Sequence, residues 1–194
     1  MLSEPILVLA RLARIFDALG IRYLVGGSLA SSLYGIPRAT QDVDLVADLK
    51  PSHVDDLATA LSGGFYADAA MIRDAINRRE SFNVVDLETM FKADVFVARG
   101  DPWSCEEMAR ARTEQLDVSG GAVSINFASP EDTLLHKMVW YKLGNQTSER
   151  QWRDIVGVVK VQGGSLEVEY LERWAPTLGV SELLDRAMLG PTAP

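Results

Sequence analysis

The sequence contains few cysteines and histidines, which excludes several kinds of site. Its 194 residues include one cysteine and two histidines. Cys105 alone cannot form an internal disulfide or a cysteine-rich zinc site. His53 and His136 are the only candidate bases for this thiol, and neither is adjacent to it in sequence. We therefore interpret Cys105 as a structural or surface thiol, His53 as solvated and His136 as a packed or surface residue.

Long apolar runs are also missing. No run approaches the roughly 20 residues that a membrane-spanning helix requires, although 47% of the residues are hydrophobic. The first ten residues lack the basic region that precedes the apolar stretch of a signal peptide. The sequence therefore predicts a cytoplasmic globular protein with no membrane partner.

Positive charge is scarce. The chain has 19 Lys and Arg residues against 27 Asp and Glu residues, a net charge of −8. Such a chain is a poor general binder of nucleic acid, because affinity for nucleic acid depends on neutralising phosphates. An RNA ligand would need a local basic patch. Arg73, Arg78 and Arg79 could form one on the helix predicted over residues 68–79, or they could simply be solvated.

The most informative stretch is residues 23–46. A β-type run over residues 21–25 meets Gly26, Gly27 and Ser28, and an apolar helical segment follows over residues 28–34. Two adjacent glycines after a strand allow positive φ and close approach of the backbone to another group. A helix that starts there presents unpaired N–H groups, which favour an anion such as phosphate.

Asp42-Val43-Asp44 opens the next predicted strand. Residues two apart on a strand point to the same face, with Cα atoms roughly 7 Å apart. Like charges about 4 Å apart cost on the order of 4 kcal/mol at an effective dielectric constant of 20. A hard divalent cation removes that penalty, and oxygen-rich sites of this kind suit Mg²⁺ with substrate phosphates.

This combination of a glycine pair with Ser28, a helix and Asp42-Val43-Asp44 resembles the signature of the DNA polymerase β-like nucleotidyltransferase superfamily. Residues 38–44 are similar to the version in small bacterial members, which include abortive-infection toxins of toxin–antitoxin pairs. The resemblance is good over residues 21–97 and loose over the C-terminal helices. It implies an enzyme that moves a nucleoside monophosphate from a nucleoside triphosphate, such as ATP, to an acceptor hydroxyl.

The resemblance also implies a magnesium site. Two Mg²⁺ ions, or Mn²⁺ in their place, would lie about 3.5 to 4 Å apart, bridged by Asp42 and Asp44, with a third carboxylate from a later strand. In the strand predicted over residues 91–97, Lys92, Asp94 and Phe96 share one face. A charge inside an apolar strand is costly unless something ionic compensates it, so Asp94 matches the third carboxylate. It would also help to deprotonate the acceptor. Asp86, one strand earlier, is the competing candidate.

Nucleotide-binding residues follow from the same resemblance. Gly26, Gly27 and Ser28 would cradle the β- and γ-phosphates, and Arg38 and Thr40 precede the metal strand. The Arg38 guanidinium could meet the triphosphate or pair with an acidic neighbour. In the same way, Lys137 could approach the phosphates or be a snorkelling surface lysine.

The predicted fold is α/β, an α+β arrangement in which a mixed nucleotidyltransferase-type sheet of about five strands carries flanking helices. The catalytic core spans residues 1–128. A C-terminal helical subdomain spans residues 129–194, where the composition changes after the helix-start signal Ser129-Pro130. Arg153 and Asp154 resemble a family pattern that ties the helical part to the active-site side, and we expect them to form structural salt bridges.

The sequence does not identify the acceptor. A protein hydroxyl, a tRNA end and a small molecule such as an aminoglycoside-like antibiotic are all compatible with the sequence. The toxin hypothesis adds a cognate antitoxin as a partner. The alternative of a different class is a non-catalytic nucleotide- or partner-binding module with the same fold.

Overall fold

The computed structural model describes residues 4–40, 42–118 and 121–189, which form a mixed sheet and a set of helices. The strands are β1 (Tyr23–Val25), β2 (Asp42–Ala47), β3 (Phe65–Tyr66), β4 (Ser81–Asp86), β5 (Lys92–Val97), β6 (Arg112–Val118) and β7 (Gly121–Phe127). The helices are α1 (Glu4–Ala18), α2 (Gly27–Tyr34), α3 (Val54–Leu61), α4 (Ala69–Arg78), α5 (Pro102–Ala109), α6 (Pro130–Leu143), α7 (Glu149–Gln162), α8 (Val168–Leu178) and α9 (Ser181–Met188). Two short 3₁₀ helices are Pro51–His53 and Gly163–Ser165.

The strands form one sheet in the order β3-β4-β5-β2-β1-β7-β6. β2 pairs with β5 in parallel and β1 pairs with β7 in parallel, whereas the other neighbours are antiparallel. The predicted α/β class is therefore confirmed. The predicted count of about five strands is wrong, since the described residues contain seven. β3 is only two residues long, too short for an alternating pattern to reveal it.

The chain forms two compact units. The first unit consists of the residues up to Gly26 together with Thr40–Phe127, and it contains the whole sheet. Helix α1 belongs to this unit and buries Leu9, Leu12 and Phe16. Its apolar residues recur at steps of three and four, which places them on one face of a helix.

The second unit consists of Gly27–Ala39 and the residues from Ala128 onward. Helix α2 belongs here, where it packs on α6 and α7. Ser129 begins α6 as predicted, since its side chain accepts a hydrogen bond from the backbone N–H of Asp132, and Pro130 occupies the first turn. None of the described helices has the length and apolar character needed to cross a membrane.

Gly35, just after α2, lies very close to α7. A Cβ added at Gly35 would lie 2.8 Å from the Ser31 carbonyl oxygen and 2.9 Å from the Val158 backbone nitrogen. Backbone atoms of this kind cannot rotate aside, so the chain needs a residue without a side chain here.

We predict that Gly35→Ala lowers the free energy of unfolding by about 1–3 kcal/mol, the usual cost of overpacking a close contact. Thermal or urea unfolding measures the loss. Gly164→Ala is the matched control, because a Cβ there would meet no atom within 4 Å. Equal stability of both variants would contradict the close packing of Gly35 on α7.

Candidate functional site

Strand β2 presents its two acidic residues on one face. Val43, Leu45 and Ala47 are buried, while Asp42 and Asp44 alternate with them and are partly exposed. The strand is fixed beside the glycine turn, because the Gly26 N–H donates to the Asp44 carbonyl oxygen at 2.9 Å. The predicted common face of Asp42 and Asp44 is therefore present.

Strand β5 adds a third carboxylate to that face. β2 and β5 are parallel, and their register pairs Asp44 with Asp94. Residues that pair across neighbouring strands point to the same side of a sheet. Asp94 is partly exposed and alternates with buried Ala93 and Val95. The structure thus brings Asp42, Asp44 and Asp94 together on one face of the first unit's sheet.

A lysine accompanies these carboxylates. Lys92 pairs with Asp42 in the β2–β5 register, and its Nζ lies 2.7 Å from Oδ2 of Asp94. The hydrogen bond to Asp94 raises the pKa of Lys92 more than burial lowers it, and the negative charges of Asp94, Asp42 and Asp44 add to the effect. The ionic compensation that an acid in an apolar strand requires is therefore supplied by Lys92.

Asp86, the competing third carboxylate, has a different environment. It lies on the buried side of β4 and forms an ion pair with Arg11. Its Oδ1 accepts hydrogen bonds from the N–H groups of Glu88 and Thr89 at 3.0 and 2.9 Å, which fixes the turn between β4 and β5. Asp86 is thus a structural residue on the opposite face from Asp94.

Thr40 and the glycine pair are further residues predicted for the site. The Thr40 hydroxyl is 2.9 Å from Oδ1 of Asp42 and can orient that carboxylate. Gly27 has φ of 57°, the positive value expected of the glycine pair. A Cβ at Gly26 would meet no atom within 4 Å, so the space beside this residue is open.

In the second unit, Arg38 and Lys137 share Asp154. Arg38 binds its carboxylate through two nitrogens, Nε at 2.9 Å and Nη2 at 3.0 Å, and Nζ of Lys137 lies 2.8 Å from Oδ2. Arg38 Nη2 also donates to the Ser28 hydroxyl. Of the two alternatives for Arg38, pairing with an acid is present in the structure, and Asp154 forms the salt bridge expected of it.

The surface-lysine alternative for Lys137 is wrong, because this residue is only 4% exposed. Burial alone would raise the pKa of Asp154, but hydrogen bonds from Arg38 and Lys137, together with their charges, hold the pKa below its usual value. Asp154 thus fixes two cations, and one of them, Arg38, also contacts Ser28.

The acidic face fits a divalent metal in the chemistry of its donors, since three carboxylates share it and hard cations prefer oxygen ligands. These donors are not gathered at coordinating distance. Across the part of the chain that the structure describes, no group of three or more His, Cys, Asp or Glu side chains is placed to hold a metal ion. In this arrangement Asp94 is instead paired with Lys92.

The arginines considered as an RNA patch have partners of their own. Arg73 pairs with Asp55 at 3.2 Å, and Arg78 pairs with Asp74 one helical turn earlier at 3.0 Å. Arg79 ends α4 in a left-handed conformation and donates to the Ala98 carbonyl at 2.7 Å. Acidic neighbours offset much of the positive charge that nucleic acid would require.

The sequence did not predict that Lys92 lies opposite Asp42 and pairs with Asp94. Alternation along β5 places Lys92 and Asp94 on one face, but their alignment with Asp42 and Asp44 depends on a register between strands some 50 residues apart. Asn83 is a second such residue, since β4 pairs it with Asp94. Only a predicted strand pairing could have identified these two residues as neighbours of the carboxylates.

Comparison with solved structures confirms the predicted resemblance at the level of the fold. No protein-family model and no curated protein matches the sequence.

Three solved structures illustrate the likeness. A nucleotidyltransferase-like antigenic protein from Paracoccidioides brasiliensis is 19% identical, with 95% of this chain and 91% of that chain covered and a TM-score of 0.54. ANT(2″)-Ia in complex with adenylyl-2″-tobramycin is 16% identical, with coverages of 92% and 98% and a TM-score of 0.56. The lincosamide antibiotic adenylyltransferase LnuA, bound to lincomycin, is 13% identical, with coverages of 82% and 98% and a TM-score of 0.50.

We predict that Asp154→Asn destabilises the protein by on the order of 3–5 kcal/mol at pH 7, because it leaves the buried Lys137 ammonium without its carboxylate. The pKa of Asp154 is lowered in the folded state, so its contribution is complete above the unfolded pKa of about 3.9 and is lost as the pH falls through the folded value. The stability gap between wild type and variant should therefore narrow only below about pH 4.

Urea unfolding at several pH values measures this gap. Asp185→Asn, which removes an exposed acid on α9, is the control and should have little effect. A gap that stays constant from pH 7 to pH 3 would contradict the ionic role of Asp154.

Proposed function

We propose that the protein is a metal-dependent nucleotidyltransferase, which transfers a nucleoside monophosphate from a nucleoside triphosphate to an acceptor hydroxyl and releases pyrophosphate. The observation that carries this proposal is the alignment of Asp44 and Asp94 on neighbouring parallel strands, with Asp42 on the same face. The fold of the neighbours, which include two antibiotic adenylyltransferases, supports the same reaction class.

Asp42, Asp44 and Asp94 would hold two Mg²⁺ ions, or Mn²⁺. When bound, these ions would stabilise the charge on the attacking and leaving oxygens at the α-phosphorus. Thr40 would orient Asp42 through its hydroxyl, as it does in the structure. Asp94 would accept the proton of the acceptor hydroxyl, either directly or through one water.

The phosphates would be bound by the glycine turn and the basic cluster of the second unit. Gly26, Gly27 and Ser28 would offer backbone N–H groups at the start of α2, where the helix dipole favours an anion. Arg38 would contribute the positive charge of its guanidinium, which Asp154 holds in place through two nitrogens. Lys137, buried against Asp154, would add positive charge without needing to leave its position.

For the acceptor, the finer proposal is a small cationic molecule or a protein hydroxyl. The net charge of −8 and the acidic partners of Arg73 and Arg78 disfavour RNA as an acceptor. Two neighbours were solved with adenylyl-2″-tobramycin and with lincomycin, which supports the small-molecule alternative. The toxin role and its antitoxin rest on the sequence resemblance, and both stay predictions, as do the tRNA acceptor and the non-catalytic module.

We predict that Asp44→Asn abolishes nucleotide transfer while the protein stays folded. The loss should be roughly 1,000-fold or more, because one missing electrostatic contact to a transition state already costs on the order of 100- to 1,000-fold. The assay is incubation with Mg²⁺, each α-³²P-labelled nucleoside triphosphate and separate acceptor pools: cell protein, tRNA, an aminoglycoside and a lincosamide.

Asp74→Asn, an exposed acid on α4, is the control and should transfer label like the wild type. Circular dichroism and thermal unfolding verify that Asp44→Asn is folded. Near-normal turnover by Asp44→Asn would overturn the two-metal assignment. Absence of label in every acceptor pool, with nucleotide binding retained, would favour the non-catalytic module.

A further inference from the structure

The sheet face that presents Asp42, Asp44 and Asp94 also presents a lysine, Lys92. Along β5, Lys92 and Asp94 are two residues apart and share a face, and the β2–β5 register places them opposite Asp42 and Asp44 respectively. The four residues therefore form a rectangle on the sheet, with carboxylates at three corners and an ammonium at the fourth. Its sides are about 4.8 Å between the strands and roughly 7 Å along each strand.

The ammonium is directed at the carboxylates. Nζ of Lys92 lies 2.7 Å from Oδ2 of Asp94, although the lysine side chain is 45% exposed and could extend into water. The Asp94 side chain is only 18% exposed. A flexible, strongly hydrated ammonium stays at such a position only where the negative charge compensates its lost hydration and side-chain entropy.

A divalent ion would need the same carboxylate oxygens. If a metal coordinated Asp94 while Lys92 remained within hydrogen-bonding distance, two positive charges would stand a few ångströms apart and would repel each other. Oδ2 of Asp94, which a metal would need, is already engaged by Lys92.

We propose that Lys92 is a tethered counter-ion that occupies the carboxylate face in the metal-free protein and is displaced from Asp94 when the divalent ion binds. Lys92 then lowers metal affinity and stabilises the metal-free fold. This inference rests on the proposed function, because it concerns the same carboxylates.

The test is direct metal binding without nucleotide or turnover. Mn²⁺ binding at pH 7 and low ionic strength is followed by electron paramagnetic resonance for the wild type, Lys92→Met, Lys92→Gln and Lys92→Arg. We expect both neutral variants to bind Mn²⁺ about tenfold more tightly than the wild type, because one close repulsion is removed. Lys92→Arg keeps the charge and should bind like the wild type.

Thermal stability and the salt dependence of Mn²⁺ affinity provide two further tests of the role of Lys92. Without metal, the neutral variants should melt at a lower temperature than the wild type, and saturating Mn²⁺ should restore them more than it stabilises the wild type. The difference in Mn²⁺ affinity should shrink as salt is added, since screening weakens repulsion between exposed charges. Lys160→Met, which removes an exposed lysine on α7, is the matched control.

The outcomes separate the two proposals. Equal or weaker Mn²⁺ binding by both neutral variants overturns the role of Lys92 while the metal site stands, provided that Asp44→Asn weakens binding in the same assay. Absence of saturable Mn²⁺ binding in every variant overturns both the metal site and the counter-ion.

Discussion

Repulsion between carboxylates is the constraint on which this structure depends. The parallel pairing of β2 with β5 places Asp44 beside Asp94, and alternation along β2 adds Asp42 to the same face. An arrangement of like charges on one side of a sheet persists only where a counter-charge is present. In the described structure Lys92 provides that charge. The opposite face of these strands is apolar and buried, so packing fixes the register while the charges remain on the accessible side.

The second unit contains the opposite arrangement, in which one carboxylate lies between two cations. Arg38 and Lys137 would repel each other, and the buried Lys137 could not stay charged without a partner. Asp154 satisfies both, with two hydrogen bonds from the guanidinium and one from the ammonium. A carboxylate shared in this way fixes two cations in place. Asp154 therefore has a structural role and also positions Arg38 and Lys137, the side chains proposed to bind phosphate.

Local chemistry explains why part of this could be predicted from the sequence. Three signals can be recognised from a few consecutive residues: glycines before a helix, two acids two residues apart, and an acid inside an apolar strand. In the structure Gly27 has a positive φ, and Asp42, Asp44 and Asp94 share one face of the sheet. Strand β3 was missed, because two residues leave no periodicity to detect. Helix α2 belongs to the unit of the C-terminal helices, and Lys137 pairs with Asp154. Both findings depend on contacts between segments that are distant in sequence. Such contacts follow from packing and have no local signature.

Charge also bears on the acceptor. Arg73 and Arg78 are the residues that could have made a basic patch on α4, and each has an aspartate within 3.2 Å. Exposed ion pairs of this kind are weak, but they keep the local field close to neutral. A polyanion therefore gains little by approaching α4, whereas an amine-bearing acceptor would be drawn to the acidic face around Asp94. The same electrostatics would make such an acceptor and a divalent ion competitors for Asp94 unless the nucleotide delivers the metal together with its phosphates. In the proposed reaction the triphosphate would offset the metal's charge and would so allow a cationic acceptor to approach.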